Sequence, residues 1–219
     1  MPIPQIHSLK ERLVAYARLV EEMIVRSRAA LVERQPGILA VIIEEDEPHA
    51  NSLEMDLEEE CTSIIAQHQP MGRELRTLLM ILRITNDLER IADHVVNIAE
   101  SVRQLLREGA SWPVEGLPRM FDETIRMIDC AIQSFVGQDG GLGRKVCETD
   151  SVVDSLATGI LERTSLSLSA DRASVSRSLA VLKIAGNLER IADLATNIGE
   201  DVIYMSEGRV IKHHREERP

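Results

Sequence analysis

Leu88-Glu89-Arg90-Ile91-Ala92-Asp93 returns one hundred residues later as Leu188-Glu189-Arg190-Ile191-Ala192-Asp193. Around it, the 17 positions from Ile84 to Glu100 share 10 identities with Ile184 to Glu200, where unrelated segments share roughly one. The chain is therefore built from two related units. Each copy carries Glu-x-x-x-Asp, which on a helix sets two carboxylates one turn apart on the same face.

The sequence flanking the motif has a helical period throughout. Leu9, Leu13, Val20, Ile24 and Leu31 recur at three- and four-residue steps and predict a helix from Ile6 to Gln35, ended by Pro36-Gly37. A second pattern runs from Ile38 to Gln67 through Val41, Ala50, Leu53, Leu57 and Ile64, with Pro48 inside it as the place for a kink or a break. The third, from Arg73 to Gly109, holds the first copy of the motif. Gly109 to Pro118 combines two prolines and two glycines and marks a boundary between units 1–110 and 111–219. Beyond it the pattern restarts as helices Arg119 to Val136, Leu142 to Leu168 and Arg172 to Glu207, the first two joined by the turn Gly137-Gln138-Asp139-Gly140-Gly141.

The expected fold is all-α, a tandem repeat of two antiparallel three-helix bundles. Helices of about 30 residues span roughly 45 Å, too long for globin-like packing and suited to elongated bundles crossing near about 20°. Breakers at Pro36-Gly37, Pro70-Met71-Gly72 and Gly140-Gly141 argue against one long coiled coil. Composition agrees: of 219 residues 44% are hydrophobic but only 2% aromatic, so aliphatic seams must form the core. Three cysteines, Cys61, Cys130 and Cys147, lack CxxC spacing and fit a reducing cytoplasm. Met1-Pro2-Ile3-Pro4 leads into an amphipathic stretch rather than a signal peptide, and no run reaches the roughly 18 apolar residues of a membrane span. A net charge of -11 excludes nonspecific affinity for nucleic acid or anionic lipid and favours cations or basic protein surfaces as partners.

With Glu89 set at zero on a helical wheel, Asp93 lies near about 40°, Glu100 near about 20° and Asn97 near about 80°. Ile91, Val95, Ile98, Val102 and Leu105 fall between about 160° and 240°, so the acids point away from the core. Glu189, Asp193, Asn197 and Glu200 repeat the arrangement. The second helix of each unit carries a matching element, Glu45-x-Glu47-x-x-Ala50-Asn51 in the first and Glu148-x-Asp150-x-x-Val153-Asp154 in the second. Where helices two and three are neighbours, each unit presents four oxygen-bearing side chains able to bridge a hard or borderline cation. Acids at this spacing are also ordinary on a solvated helix face, where Arg90 and Arg190 are available for ion pairs worth about 0–1 kcal/mol. Recurrence of the acids in register while neighbours vary favours the cation reading.

Other constellations are weaker. His94 has no copy, since Leu194 occupies the equivalent position, and reads as a surface or edge residue. Cys61 reads as a small buried hydrophobe, and His213-His214 as part of a frayed tail. A di-iron oxidase bundle needs Glu-x-x-His on two matching helices, which the sequence lacks. A metal-dependent hydrolase with a surface cluster and a metal-free helical scaffold are the competing readings.

Taken together, Glu45 to Cys61, Gln69-Pro70-Met71-Gly72-Arg73-Glu74-Leu75-Arg76, Leu88 to His94 with Asn97-Ile98-Ala99-Glu100, and their second-unit counterparts closely resemble the PhoU family of phosphate-signalling proteins. The resemblance runs over nearly the whole chain, ending at Glu207-Gly208-Arg209-x-x-Lys212-His213. It implies two spectrin-like bundles related by pseudo-twofold symmetry and multinuclear iron or zinc clusters bound at the surface. The implied ligands are Glu47, Asn51, Glu89 and Asp93 in the first unit and Asp150, Asp154, Glu189 and Asp193 in the second, with Asn97, Glu100, Asn197 and Glu200 behind them. Asn51 departs from the charge of Asp154, which implies a weaker first site, and Leu75-Arg76 has Ser178-Leu179 in its place. The implied function is regulatory and non-enzymatic: a cytoplasmic negative regulator of phosphate uptake and of the phosphate-starvation response. It implies partners too, the ATPase of a phosphate ABC transporter and a membrane sensor histidine kinase, with the chain itself a monomer or homodimer.

Overall fold

A computed structural model describes residues 3–108, 115–168 and 175–207, and among these the ordered elements are all helical. Helix α1 spans Pro4–Glu33, the short α2 spans Gly37–Val41, and α3 spans Glu47–His68. Then follow α4 at Arg73–Arg107, α5 at Leu117–Gly137, α6 at Gly140–Leu168 and α7 at Val175–Glu207. The expected boundary at 110/111, the start of the last helix at Arg172 and the tail around His213-His214 lie outside the described residues.

Local chemistry explains where these helices begin and end. Pro4 opens α1 at a position whose N–H has no intrahelical partner. Arg34 closes it in the left-handed conformation (φ 57°), and Pro36 prevents its continuation. Gln69 (φ 46°) and Gln138 (φ 51°) end α3 and α5 in the same way. The expected start of α6 at Leu142 is corrected to Gly140, because Asp139 Oδ1 accepts from the N–H groups of Gly141 (2.8 Å) and Leu142 (3.2 Å) and so caps an earlier first turn. The irregularity expected at Pro48 is a π turn over Ile42–Asp46, immediately before it. The Glu47 N–H reaches back five residues to the Ile42 carbonyl, and the wider turn gives the proline ring room that a regular turn denies it.

Helices α1, α3 and α4 pack together, and so do α5, α6 and α7. The two groups join along α4 against α7 and α1 against α5. Bonds from Arg83 to Asp201 (2.6 Å), His94 to Asn187 (2.8 Å) and Gln104 to Ser176 (2.9 Å) run in opposite directions along α4 and α7, so those helices are antiparallel and the duplicated motif sits at their midpoint. The expected inward face is buried as read: Ile91, Val95, Ile98 and Val102 are fully enclosed. One continuous apolar core extends from Leu9 of α1 through Ile191 to Val202 of α7, so both units share it.

The junction of α4 and α7 is not symmetric. On one side the His94 Nδ1–H donates to Asn187 Oδ1, while Asn187 Nδ2 donates to the Lys183 carbonyl. Asp87 is the copy of Asn187, and Leu194 is the copy of His94, so Asp87 has no such partner. It is 8% exposed. Burial first, and then the charge of Asp201, push its carboxyl up to about 6 against the pull of Arg90 and Arg83. A carboxyl raised in the folded state stabilises most below its ordinary value near 3.8, and that stability is lost as pH rises through about 6. Asp87→Asn, which restores the residue type of the other unit, is therefore expected to stabilise the fold by on the order of 3 kcal/mol at pH 7.5 and by little at pH 4. Urea melts of both proteins at the two pH values check this, and equal gains at both would refute it.

Candidate metal centres

In the first unit, Glu47, Asn51 and Glu89 are half-buried and Asp93 is exposed. In the second, Asp150 and Glu189 are half-buried while Asp154 and Asp193 are exposed. Both sets lie on the outer face of the helix pairs α3/α4 and α6/α7, which pack side by side. The wheel arithmetic is borne out for the α4 and α7 acids: none belongs to the apolar core.

Acids on neighbouring helices influence one another's protonation. Glu189 is pushed above its ordinary value by burial, then by Asp154 and Asp193, with Arg190 pulling it back. Asp193 is raised by burial and by Asp154. Asp154 of α6 is therefore within electrostatic reach of Glu189 and Asp193 of α7. In the first unit Glu89 is raised by burial, then by Asp93 and Glu54, and Glu54 in turn by burial, Glu58 and Asp93. Glu54 is therefore an α3 carboxylate within electrostatic reach of Glu89 and Asp93. Glu47 instead accepts a 3.4 Å bond from Asn51 Nδ2, one turn away on its own helix.

Glu54 was not among the residues expected from the sequence, although a signal existed. It stands three residues beyond Asn51, so Glu47, Asn51, Glu54 and Glu58 form a single ridge at helical spacing. The comparison of the two units conceals it, because its counterpart is Ala157. Tyr16 was missed for the same reason. The buried residues of α1 and α5 coincide at a shift of 104, Leu13 with Leu117, Val20 with Thr124 and Leu31 with Phe135, and that shift places Met120 opposite Tyr16. The Tyr16 hydroxyl is held well above its ordinary value by burial and then by Glu54, Glu89 and Asp93.

The outlying candidates take other roles in the structure. Asn97 turns its amide onto the Asp93 carbonyl (2.9 Å) and receives the Ser101 hydroxyl on its own carbonyl (2.8 Å). Asn197 and Glu200 line a groove of about 430 Å³ between α4 and α7, together with Asp87 and Asp201, and the charge of Glu200 also acts on Cys147 of α6. Glu100 is exposed beside Arg103 and Arg107. Cys61 is fully enclosed, and burial pushes its thiol up to about 12, which agrees with its reading as a hydrophobe rather than a ligand.

Both clusters offer carboxylate oxygens, the donor type that iron, zinc, manganese and other hard or borderline ions accept. Carboxylates that raise one another's proton affinity lose that repulsion when a cation stands between them. Among the described residues no three His, Cys, Asp or Glu side chains are yet gathered closely enough to hold an ion. Binding therefore requires the half-exposed Glu54, Glu89 and Glu189 to reorient, at a cost of about 1–2 kcal/mol each in side-chain freedom.

Comparison with known proteins gives one consistent result. The PhoU domain matches the chain twice, over residues 13–102 and 117–202. The phosphate-specific transport system accessory protein PhoU homolog 2 of Thermotoga maritima is 31% identical, covering 97% of this chain and 90% of its own length. The corresponding Aquifex aeolicus homolog is 33% identical over 95% of this chain and 94% of its own. The crystal structure of PhoU from Pseudomonas aeruginosa superposes with a TM-score of 0.88 at 30% identity, covering 93% of this chain and 97% of that one. A Streptococcus pneumoniae phosphate transport system regulatory protein PhoU shares the fold, with a TM-score of 0.86 at 24% identity. With two domain matches filling most of the chain and relatives alike over nearly their full length, the protein belongs to the PhoU family.

Proposed function

We propose that this chain is a non-enzymatic regulator of phosphate homeostasis, a cytoplasmic accessory protein that restrains phosphate uptake and the starvation response. The observation that carries this reading is the family match over both units, since the relatives that cover nearly the whole chain are accessory proteins of phosphate-specific transport systems. Its partners in this reading are the ATPase of the phosphate ABC transporter and a sensor histidine kinase, which hold it at the membrane. Among the described residues no helix is long and apolar enough to cross a membrane, which agrees with attachment through partners. The acids lie on an outer face, where water is not excluded and a substrate is not enclosed, so adaptor chemistry suits them better than hydrolysis.

In this reading the two acidic clusters bind iron or zinc. Bound cations place positive charge on a face of a chain whose net charge is -11, and that charge recruits an acidic or phosphate-bearing group of a partner. Two measurements test the proposal. The chain purified without tags or chelators is expected to retain iron or zinc by elemental analysis, and Glu89→Ala/Asp93→Ala/Glu189→Ala/Asp193→Ala to lose at least tenfold with unchanged far-UV circular dichroism; equal metal content in both would remove the cation reading. Pull-downs with the transporter ATPase and the kinase, with and without phosphate, test the adaptor role. Failure to retain either partner under both conditions would sink it.

A further inference from the structure

Three large apolar side chains stand in water at one end of the molecule: Met71 is 83% exposed, Val136 62% and Leu79 44%. Met71 lies in the turn between α3 and α4, two residues before Arg73, and Val136 lies two residues before Gln138, which caps α5. The Arg73 guanidinium donates to Gln138 Oε1 across that gap, so Met71 and Val136 flank a bond that ties the two units together. Arg76 follows one turn further along α4, and Leu79 one turn beyond Arg76. Residues three apart on a helix are surface neighbours, so cation and apolar side chain adjoin.

A single exposed apolar residue is ordinary, but three gathered around two uncompensated cations are not. Among the described residues neither Arg73 nor Arg76 is ion-paired, although other arginines of α4 are: Arg83 meets Asp201 at 2.6 Å and Arg90 meets Asp87 at 3.8 Å. The acids nearest in sequence are engaged elsewhere. Glu74 Oε1 accepts from the Ile3 N–H (3.1 Å), and Asp139 Oδ1 accepts from Gly141 and Leu142. Lys10 of α1 adds to the positive field, since burial and then the charge of Arg73 hold its ammonium below the usual lysine value. In a chain of net charge -11, such a patch is complementary to acidic surface. It is not duplicated, because one hundred residues on Arg73 and Arg76 become Ala173 and Ser176.

We propose that the surface formed by Met71, Arg73, Arg76, Leu79 and Val136 docks an acidic segment of a partner protein, with carboxylates of the partner on the two arginines and an apolar side chain between Met71 and Val136. This rests on the adaptor reading given above and does not depend on bound metal. A protein suits the surface better than a membrane does. Each cation attracts anionic lipid by only about 1 kcal/mol, against the repulsion of the whole chain, whereas an exposed thioether adapts to varied apolar partners. A segment seated here touches α4 of the first unit and α5 of the second at once.

The transporter and the sensor kinase are each reconstituted whole in nanodiscs of phosphatidylcholine, and binding of the full chain is followed by biolayer interferometry. At least one of them is expected to bind wild type, more weakly as salt rises, and to lose at least tenfold in affinity for Arg73→Glu/Arg76→Glu and for Met71→Asp. Met71 is an exposed turn residue, so Met71→Asp keeps the fold even where loss of the Arg73–Gln138 bond harms the double variant; far-UV circular dichroism checks both. Arg103→Glu/Arg107→Glu makes the same change of charge at the far end of α4, about 40 Å away, and is expected to alter affinity less than threefold. Binding that survives either folded patch variant, or that falls equally in the Arg103→Glu/Arg107→Glu control, would overturn the docking surface and leave the adaptor reading standing. Patch-dependent binding to phosphatidylglycerol vesicles, with none to either protein, would overturn it in favour of a membrane. Binding to neither protein and to no vesicle would overturn the surface and the adaptor reading together.

Discussion

Phe121→Ala is expected to destabilise the fold by about 3–5 kcal/mol and to lower the thermal midpoint by roughly 10–15 °C. Phe121 is among the largest fully enclosed side chains, and it sits on α5, which packs against α1, α6 and α7. With two phenylalanines in the whole sequence, the core is filled by aliphatic chains cut to fit around it. Its counterpart at the shift of 104 is Ala17, fully packed as well, and the neighbouring pair is Tyr16 with Met120. Large and small residues thus alternate between α1 and α5, so a hole at Phe121 is not refilled by the other unit. Because the core is continuous across both units, the transition is expected to stay single, with both halves melting together. Calorimetry checks both points: a loss below about 1 kcal/mol, or two separate transitions, would contradict the shared core. Val136→Ala, on the same helix but 62% exposed, serves as the control with no appreciable change.

Gly199→Ala and Gly186→Ala are expected to move stability in opposite directions, although both make the same change within α7. A Cβ at Gly199 would lie 2.9 Å from the Gly143 carbonyl oxygen of α6, and one at Gly143 would lie 2.7 Å from the Gly199 carbonyl oxygen. Backbone cannot rotate aside, so the helices must separate, at an overpacking cost of about 1–3 kcal/mol. At Gly186 a Cβ meets no atom within 4 Å, and alanine there gains about 1 kcal/mol of helix propensity. Because the propensity gain is common to both variants, the expected spread between them is the overpacking cost alone, about 1–3 kcal/mol. Urea melts measure it directly, and a stabilised Gly199→Ala would show that α6 and α7 do not approach as closely as described. On the proposed cation reading, which draws ligands from both α6 and α7, Gly199→Ala is also expected to weaken metal retention at the second cluster more than at the first.

Much of this architecture was legible from residue order because helical periodicity is a local property. Leu9, Leu13, Val20 and Ile24 had to share a face, and so did Ile91, Val95 and Ile98, whichever helix they met. The ends were legible where the chemistry was proline or glycine, as at Pro36-Gly37. They were misplaced where a side chain supplied the cap, as Asp139 does for α6, and the irregularity at Pro48 became a π turn rather than a break because the ring needs a wider turn, not an end.

The acidic clusters were legible to the extent that they are duplicated. Spacing pointed to Asp150 and Asp154 with Glu189 and Asp193, and the structure couples Asp154 electrostatically to the α7 pair. Glu54 and Tyr16 escaped because their counterparts, Ala157 and Met120, carry no oxygen, so comparison of the units removed the very positions in which they differ. The same comparison, read after folding, exposes Asp87 as the copy of Asn187 that faces no histidine, since Leu194 stands where His94 does.

By itself the sequence determined an all-helical chain of two related units, with paired acids turned away from the apolar stripe, since both follow from the turn of an α-helix and the chemistry of its side chains. The tertiary structure alone decided which stripe meets which. It merged the two units into one core along α4/α7 and α1/α5 and brought Glu54 of α3 within electrostatic reach of Glu89 and Asp93 of α4. The reason is physical: periodicity assigns a residue to a face within its own helix, whereas the partner of that face depends on how whole helices cross, and no local pattern contains that angle.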